Sequence, residues 1–238
     1  MMGRCRAIWA AGLFLAGAVP GAAKAPVQAD IMLQASDLDP ASVLPVPPAR
    51  DSAQARRELD ELHEIDRTRR PEDVAAAHAD SDTKNATIFA EAIGPGFDLS
   101  RLPATAHLFA IVRATEKDEA DRGKDEFKRA RPWIVDPQLR SCSRNDEDLS
   151  SYPSGHATMG YSMAAVLARL VPEKAPAIMA RAARYAEARL ICEVHFRSDI
   201  TAGQALGMLV AERLMAKPAF RVAFDASRDE LRRAGIVR

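Results

Sequence analysis

Three short segments of the 238-residue chain carry the residue types that handle an anion in transfer. Lys124 is followed, after six residues, by Arg131-Pro132. Pro153-Ser154-Gly155-His156 forms the second segment. In the third, Arg189 precedes His195 by five intervening residues, and Asp199 follows after three more. A phosphoryl group in transfer spreads negative charge over three equatorial oxygens, so its site needs several fixed positive donors. Lys124, Arg131 and Arg189 supply them, and the planar arginine fork matches phosphate oxygens. Ser154 and Gly155 open a predicted helix, where free backbone N–H groups and the positive end of the dipole favour an anion. Glycine there lets the backbone approach closely. Two histidines can divide the covalent work, one attacking phosphorus and the other protonating the leaving oxygen. A carboxylate one turn after a histidine can hold its ring in one tautomer and stabilise the charged form.

Taken singly, each segment has a plainer reading. Lys124 and Arg131 fall in a charged helix and read as a solvated face. Pro-Ser-Gly reads as a turn, and His195 with Asp199 as a surface pair at i, i+4. Their occurrence together asks for one explanation. The other histidines carry less. His63 and His78 sit in polar helices and read as exposed, and His107 lies in an apolar run and reads as packed.

The elements that must position these groups are helical. Leu59, Leu62 and Ile65 recur at helical spacing, and Pro71 ends or restarts that helix. Residues 86–93 predict a helix stopped by Gly94-Pro95-Gly96, and residues 102–112 predict another that runs into charges as far as Arg131. Residues 134–153, with two prolines and many polar residues, predict a long loop. Helical patterns return at residues 156–170, 175–190, 199–215 and 218–234. Period-two alternation is almost absent and alanine is abundant, so the fold class is all-α.

The tripartite pattern resembles the signature of the type 2 phosphatidic acid phosphatase (PAP2) superfamily, which includes the vanadium haloperoxidases. Within it, Ser151-Tyr152-Pro153-Ser154-Gly155-His156, Ile93-Gly94-Pro95-Gly96-Phe97-Asp98 and Arg189-Leu190-Ile191-Cys192 resemble the bacterial class A non-specific acid phosphatases. The likeness runs from about residue 40 to residue 225. It implies a compact helical bundle. It implies that His195 is the nucleophile that forms a phosphohistidine, that Asp199 orients it, and that His156 is the general acid and later the base. Lys124, Arg131, Ser154, Gly155 and Arg189 would bind the phosphoryl oxygens. No metal or other cofactor is implied. The expected substrates are small phosphate monoesters, accepted broadly, and a homo-oligomer fits the likeness. Three residues depart from the pattern: Ala188 stands where it has serine, Ala157 where it has threonine, and Ser150 where it has glycine. The alternatives are a vanadium-dependent haloperoxidase, a lipid or pyrophosphate phosphatase of the same superfamily, and a phosphate-binding module without catalysis. The presence of both histidines and Asp199 speaks against the last.

The length suits one domain with a sizeable core, and 47% apolar with 28% charged residues is ordinary globular composition. Basic and acidic residues balance at 33 each, so no basic excess points to nucleic acid. Arg4 and Arg6, the apolar run from Ala7 to Val19 and the small residues after it read as a secretory signal peptide over residues 1–23. A single membrane anchor is the other reading, but the run is short and interrupted. Residues 24–50, with Pro45, Pro47 and Pro48, predict an extended N-terminal arm, and residues 51–238 a single helical phosphatase domain. After signal cleavage no membrane association is expected, and the mature protein belongs in the periplasm or outside the cell. Cys142 and Cys192 then remain, an even count that in an exported protein suggests a disulfide; two buried free thiols are the other reading. If the motif segments meet at one phosphate, these cysteines are close to each other.

Overall fold

The structure is a computed structural model that describes residues 30–237. The expected signal peptide lies outside the described residues. Ten α-helices follow in order: α1 Pro40–Val43, α2 Ala53–Thr68, α3 Pro71–Asp82, α4 Ala90–Ile93, α5 Pro103–Phe127, α6 Pro132–Val135, α7 Gly155–Leu170, α8 Ala175–Ile191, α9 Arg197–Ala216 and α10 Pro218–Arg233. Among the described residues there is no strand. Starts are marked by side-chain caps or by proline. Ser52 accepts from the Ala55 N–H and Ser154 from the Ala157 N–H, while α3, α5, α6 and α10 begin at proline, whose missing N–H costs nothing there.

Helix α7 is the central element, with α5, α8 and α9 packed around it and α10 lying against α5. The α7–α9 seam is the tightest contact in the bundle. A Cβ on Gly203 would stand 2.5 Å from the Ser154 carbonyl oxygen, and one on Gly207 2.5 Å from that of Thr158. Only glycine admits such backbone-to-backbone approach. The main core gathers Met159, Met163, Leu206, Val210 and Phe220, all nearly or fully buried. Helix α2 adds a second cluster, in which Leu62 meets Leu139, Leu190, Phe196 and Ile200. No described helix is long and apolar enough to cross a membrane.

Three local expectations are corrected. The stretch expected to be an unpacked arm contributes Leu33, Leu38 and Leu44 to the main core, and the Tyr152 hydroxyl donates to the Pro45 carbonyl at 2.6 Å. Asp39 caps the short helix α1 there. The expected helix over residues 86–93 is a 3₁₀ turn, Ala86–Phe89, running into the four-residue α4, which Gly94 stops at φ 121°. His107, expected to be packed, is exposed on α5, because Leu108, Phe109, Ile111 and Val112 take the inward face. The loop expected over residues 134–153 is there from residue 136 onward, after the one-turn α6.

Candidate active site

Helix α5 carries Lys124 near its end and stops at Lys128, which turns the chain in the left-handed region at φ 44°. Arg131 therefore lies beyond the helix, at the cap of α6, and not on the charged helical face expected for it. Helix α8 delivers Arg189 in its last turn. Glu193, also left-handed at φ 52°, reverses the chain so that His195 sits in the turn before α9. Ser154, Gly155 and His156 open α7.

His195 is buried between two chain segments. Its Nε2 lies 3.0 Å from Arg131 Nη1 and its Nδ1 2.8 Å from the Ser151 carbonyl oxygen. An arginine nitrogen only donates, so Nε2 accepts and the proton sits on Nδ1, donated to Ser151. That tautomer presents the Nε2 lone pair to the cavity side. Asp199 stands farther off, with Oδ2 3.5 Å from Nδ1. Its oxygens accept from the Phe196 N–H at 2.7 Å, Ser151 Oγ at 2.6 Å and Arg129 Nη1 at 2.6 Å. Asp199 is thus linked to the ring chiefly through Ser151, which contacts both.

The cations surround the same point. Arg131, 3% exposed, also donates to the Val194 carbonyl at 2.8 Å and to Ser150 Oγ at 3.0 Å from Nη2. Ser150, where the resembled pattern has glycine, thus holds a guanidinium. Arg189 is 4% exposed, and its Nε and Nη1 find no protein partner. Burial pulls its pKa down to about 10. Lys124 Nζ pairs with Asp121 at 3.0 Å and lies over Gly155, where an added Cβ would stand 3.4 Å from it. The first two residues of α7, Gly155 and His156, carry N–H groups that no helix carbonyl can reach. The Ser154 N–H is taken by the Asp199 carbonyl at 3.0 Å.

His156 Nε2 donates to the Ser81 carbonyl at 3.1 Å, and its ring lies 5.7 Å from that of Tyr185. Burial first, and then the charge of Arg189, hold its pKa well below the usual histidine value. Burial, then Arg131 and Arg189, do the same to His195.

Lys124, Arg131, Gly155, His156 and His195 line one cavity of about 220 Å³, so the structure brings these expected residues together. Ser154, Arg189 and Asp199 stand behind its wall and do not line it. Lys84, Arg113, Glu116, Lys117 and Asp146 line it too, and no motif marked them. Glu116 pairs with Arg113, and burial pushes its carboxyl up to about 7. Among the described residues, no three His, Cys, Asp or Glu side chains are grouped to hold a metal ion.

Cys142 and Cys192 form a disulfide, which ties the loop before α7 to the turn that carries His195. The Cys142 N–H donates to the Cys192 carbonyl at 3.0 Å beside it. Ala188, where the resembled pattern has serine, packs with Trp133, Cys192 and Val194 and does not line the cavity.

An all-α bundle with two histidines and three cations at one helix start is the architecture of a known group. Residues 105–222 match the PAP2 superfamily, and the chain belongs to it. It is 34% identical over 167 residues to an acid phosphatase of Zymomonas mobilis subsp. mobilis, covering 67% of this chain and 63% of that one. It is 31% identical over 163 residues to a non-specific acid phosphatase of Salmonella typhimurium, covering 66% and 65%. The chain thus spans just under two thirds of the length of these relatives. The crystal structure of a transmembrane PAP2 type phosphatidylglycerolphosphate phosphatase from Bacillus subtilis shares the fold. Its TM-score is 0.51 at 17% identity, over 68% of this chain and 85% of that one.

Proposed function

We propose that the protein is an acid phosphatase that hydrolyses phosphate monoesters, with broad tolerance of the alcohol and no metal, through a phosphohistidine at His195. One observation carries the reading. Arg189 keeps a buried guanidinium with Nε and Nη1 unpartnered, and its charge reaches both histidines. A buried cation left without an acceptor is costly to maintain, and a phosphoryl group supplies the missing oxygens.

In the first step the Nε2 lone pair of His195 attacks phosphorus and the ester P–O bond breaks. His156 gives its proton to the departing oxygen. In the free protein Arg131 lies on Nε2, so an entering phosphate must draw that guanidinium onto its own oxygens. The same oxygens offset the charge of Arg189, which raises the proton affinity of His156 when a proton is needed. In the second step His156 takes a proton from water, the water oxygen bonds to phosphorus and the P–N bond breaks. Phosphate leaves and both rings regain their starting states.

The same reading places the mature chain in an oxidising compartment, the periplasm or the exterior, which a disulfide between Cys142 and Cys192 favours.

The test is rapid quench of the protein, pretreated with EDTA, on a labelled aryl phosphate, followed by peptide mapping, with vanadate as inhibitor. Acid-labile label on the peptide holding His195, full activity in EDTA and inhibition by vanadate are expected. Activity lost on chelation and restored by a divalent metal overturns the reading, as does label on His156.

A further inference from the structure

We propose that Arg129, clasped by Glu58 of α2, is the positioning residue that anchors the Asp199 carboxylate beneath His195; this rests on the phosphohistidine reading above. Arg129 lies between the left-handed Lys128 and Arg131, its side chain almost wholly buried, with the guanidinium 4.4 Å over the Phe196 ring. Nη1 donates to Asp199 Oδ1 at 2.6 Å and to Ser198 Oγ at 2.6 Å. Nη2 donates to Glu58 Oε2 at 2.8 Å. Glu58 also accepts from the Ser198 N–H at 3.1 Å, so α2 grips the first turn of α9 directly.

Arg129 reaches His195 by two routes that meet at Ser151. Its own carbonyl accepts the Ser151 N–H at 3.1 Å. Its guanidinium holds Asp199, which in turn accepts from Ser151 Oγ. The Ser151 carbonyl then takes the Nδ1 proton of His195 and turns Nε2 toward the cavity. None of Arg129, Glu58 and Ser151 lines the cavity, so they act through the histidine and not on the substrate.

The charge argument runs the same way. Asp199 is wholly buried, and a buried carboxylate stays ionised only when paired. Arg129 is the cation in contact with it. His195 faces it at 3.5 Å, Arg131 and Tyr152 feel its charge from farther off, and α2 reaches it only through Glu58 and Arg129. Without Arg129 the Asp199 carboxyl takes up a proton and no longer balances the positive charge that His195 develops on phosphorylation.

The experiment compares Arg129→Met, Arg129→Lys and Glu58→Gln with the wild-type chain on an aryl phosphate. For Arg129→Met, kcat at acid pH is expected to fall on the order of 10²-fold, the scale for loss of one fixed electrostatic partner. It is expected to recover as pH rises and Asp199 ionises again. KM and inhibition by inorganic phosphate should hold, because Lys124, Arg131 and Arg189 are untouched. Arg129→Lys keeps the charge and restores part of the acid-side activity. A 13C titration of the Asp199 carboxyl should move to higher pH in Arg129→Met. An equal loss at every pH with weakened phosphate binding shows a merely structural role and overturns the proposal, as does an unmoved Asp199 titration. If Arg129→Met does not fold, Glu58→Gln keeps the guanidinium without its clasp and carries the same test with a smaller loss. A wild-type chain that turns over no ester overturns the phosphatase reading, while the carboxyl titration still decides the coupling.

Discussion

The α7–α9 seam and the cavity beside it meet at the start of α7 and are built in opposite ways. Along the seam, Gly203 and Gly207 bring backbones so close that a single methyl group would not fit. In the cavity, charged groups stand beside space, and behind its wall Arg189 keeps nitrogens that nothing in the protein satisfies. Ser154 stands between the two, since it caps α7, donates its N–H to the Asp199 carbonyl and touches the seam at Gly203. The contrast teaches a division of labour. Close packing fixes the frame, and that rigidity lets the site keep unsatisfied charge that a looser fold would relieve by collapse.

Substitution on the two sides should therefore separate activity from stability. The largest effect is expected for Arg189→Met, where kcat/KM should fall on the order of 10²–10³-fold, as for loss of one preorganised donor. Its thermal midpoint should hold or rise, because an uncompensated buried charge is replaced by an apolar chain. Lys128→Ala, outside the cavity, serves as the control. Calorimetry showing a clear loss of stability in Arg189→Met would break the comparison. Next comes Gly203→Ala, expected to cost about 1–3 kcal/mol in denaturant unfolding through overpacking. Activity should drop with it, since the added methyl meets the Ser154 carbonyl. Retained stability there would mean that the seam yields.

The smallest effect concerns pH. Both His156 and His195 titrate well below 6.5 in the free protein. On the proposed mechanism the competent free form has His195 neutral and His156 protonated. As pH rises through the depressed His156 value that form is lost, so kcat/KM should decline while the medium is still acid. Bound phosphoryl oxygens raise His156, so the descending limb of kcat should lie at higher pH than that of kcat/KM. Profiles on an alkyl phosphate, which needs the proton most, check this. Coincident limbs would show that His156 does not sense the ligand.

The motif residues of the cavity were legible in the sequence because their chemistry is tied to short spacings, whereas Lys84, Arg113, Glu116, Lys117 and Asp146, which line it too, were not. Pro153 to His156 encodes a cap and a helix start, and the run from Arg189 to Asp199 encodes a helix end, a turn and a new first turn. Residues paired across the chain were not legible. Glu58 meets Ser198 from 140 positions away, and nothing local in an ordinary polar helix marks it. Arg129 read as one charge among many, because a lysine at φ 44° gives no warning that the helix has ended beside it. The packed leucines before residue 45 were missed because their spacing has no period, and His107 because the apolar run around it fixes the helix but not which face the histidine takes.

On the proposed phosphatase reading, the Cys142–Cys192 bridge also bears on when the chain would gain activity. It joins the loop that carries Ser150 and Ser151 to the turn that carries His195, across a separation of 50 residues. A cross-link of that span restrains the unfolded chain by about 4 kcal/mol in the chain-entropy treatment. A newly made chain in a thiol-rich compartment would hold every residue of the candidate site without the tie that keeps them in register. If the chain is exported and hydrolyses phosphate esters as proposed, maturation would follow oxidation, and the esters of the compartment where it is synthesised would be spared until it has left.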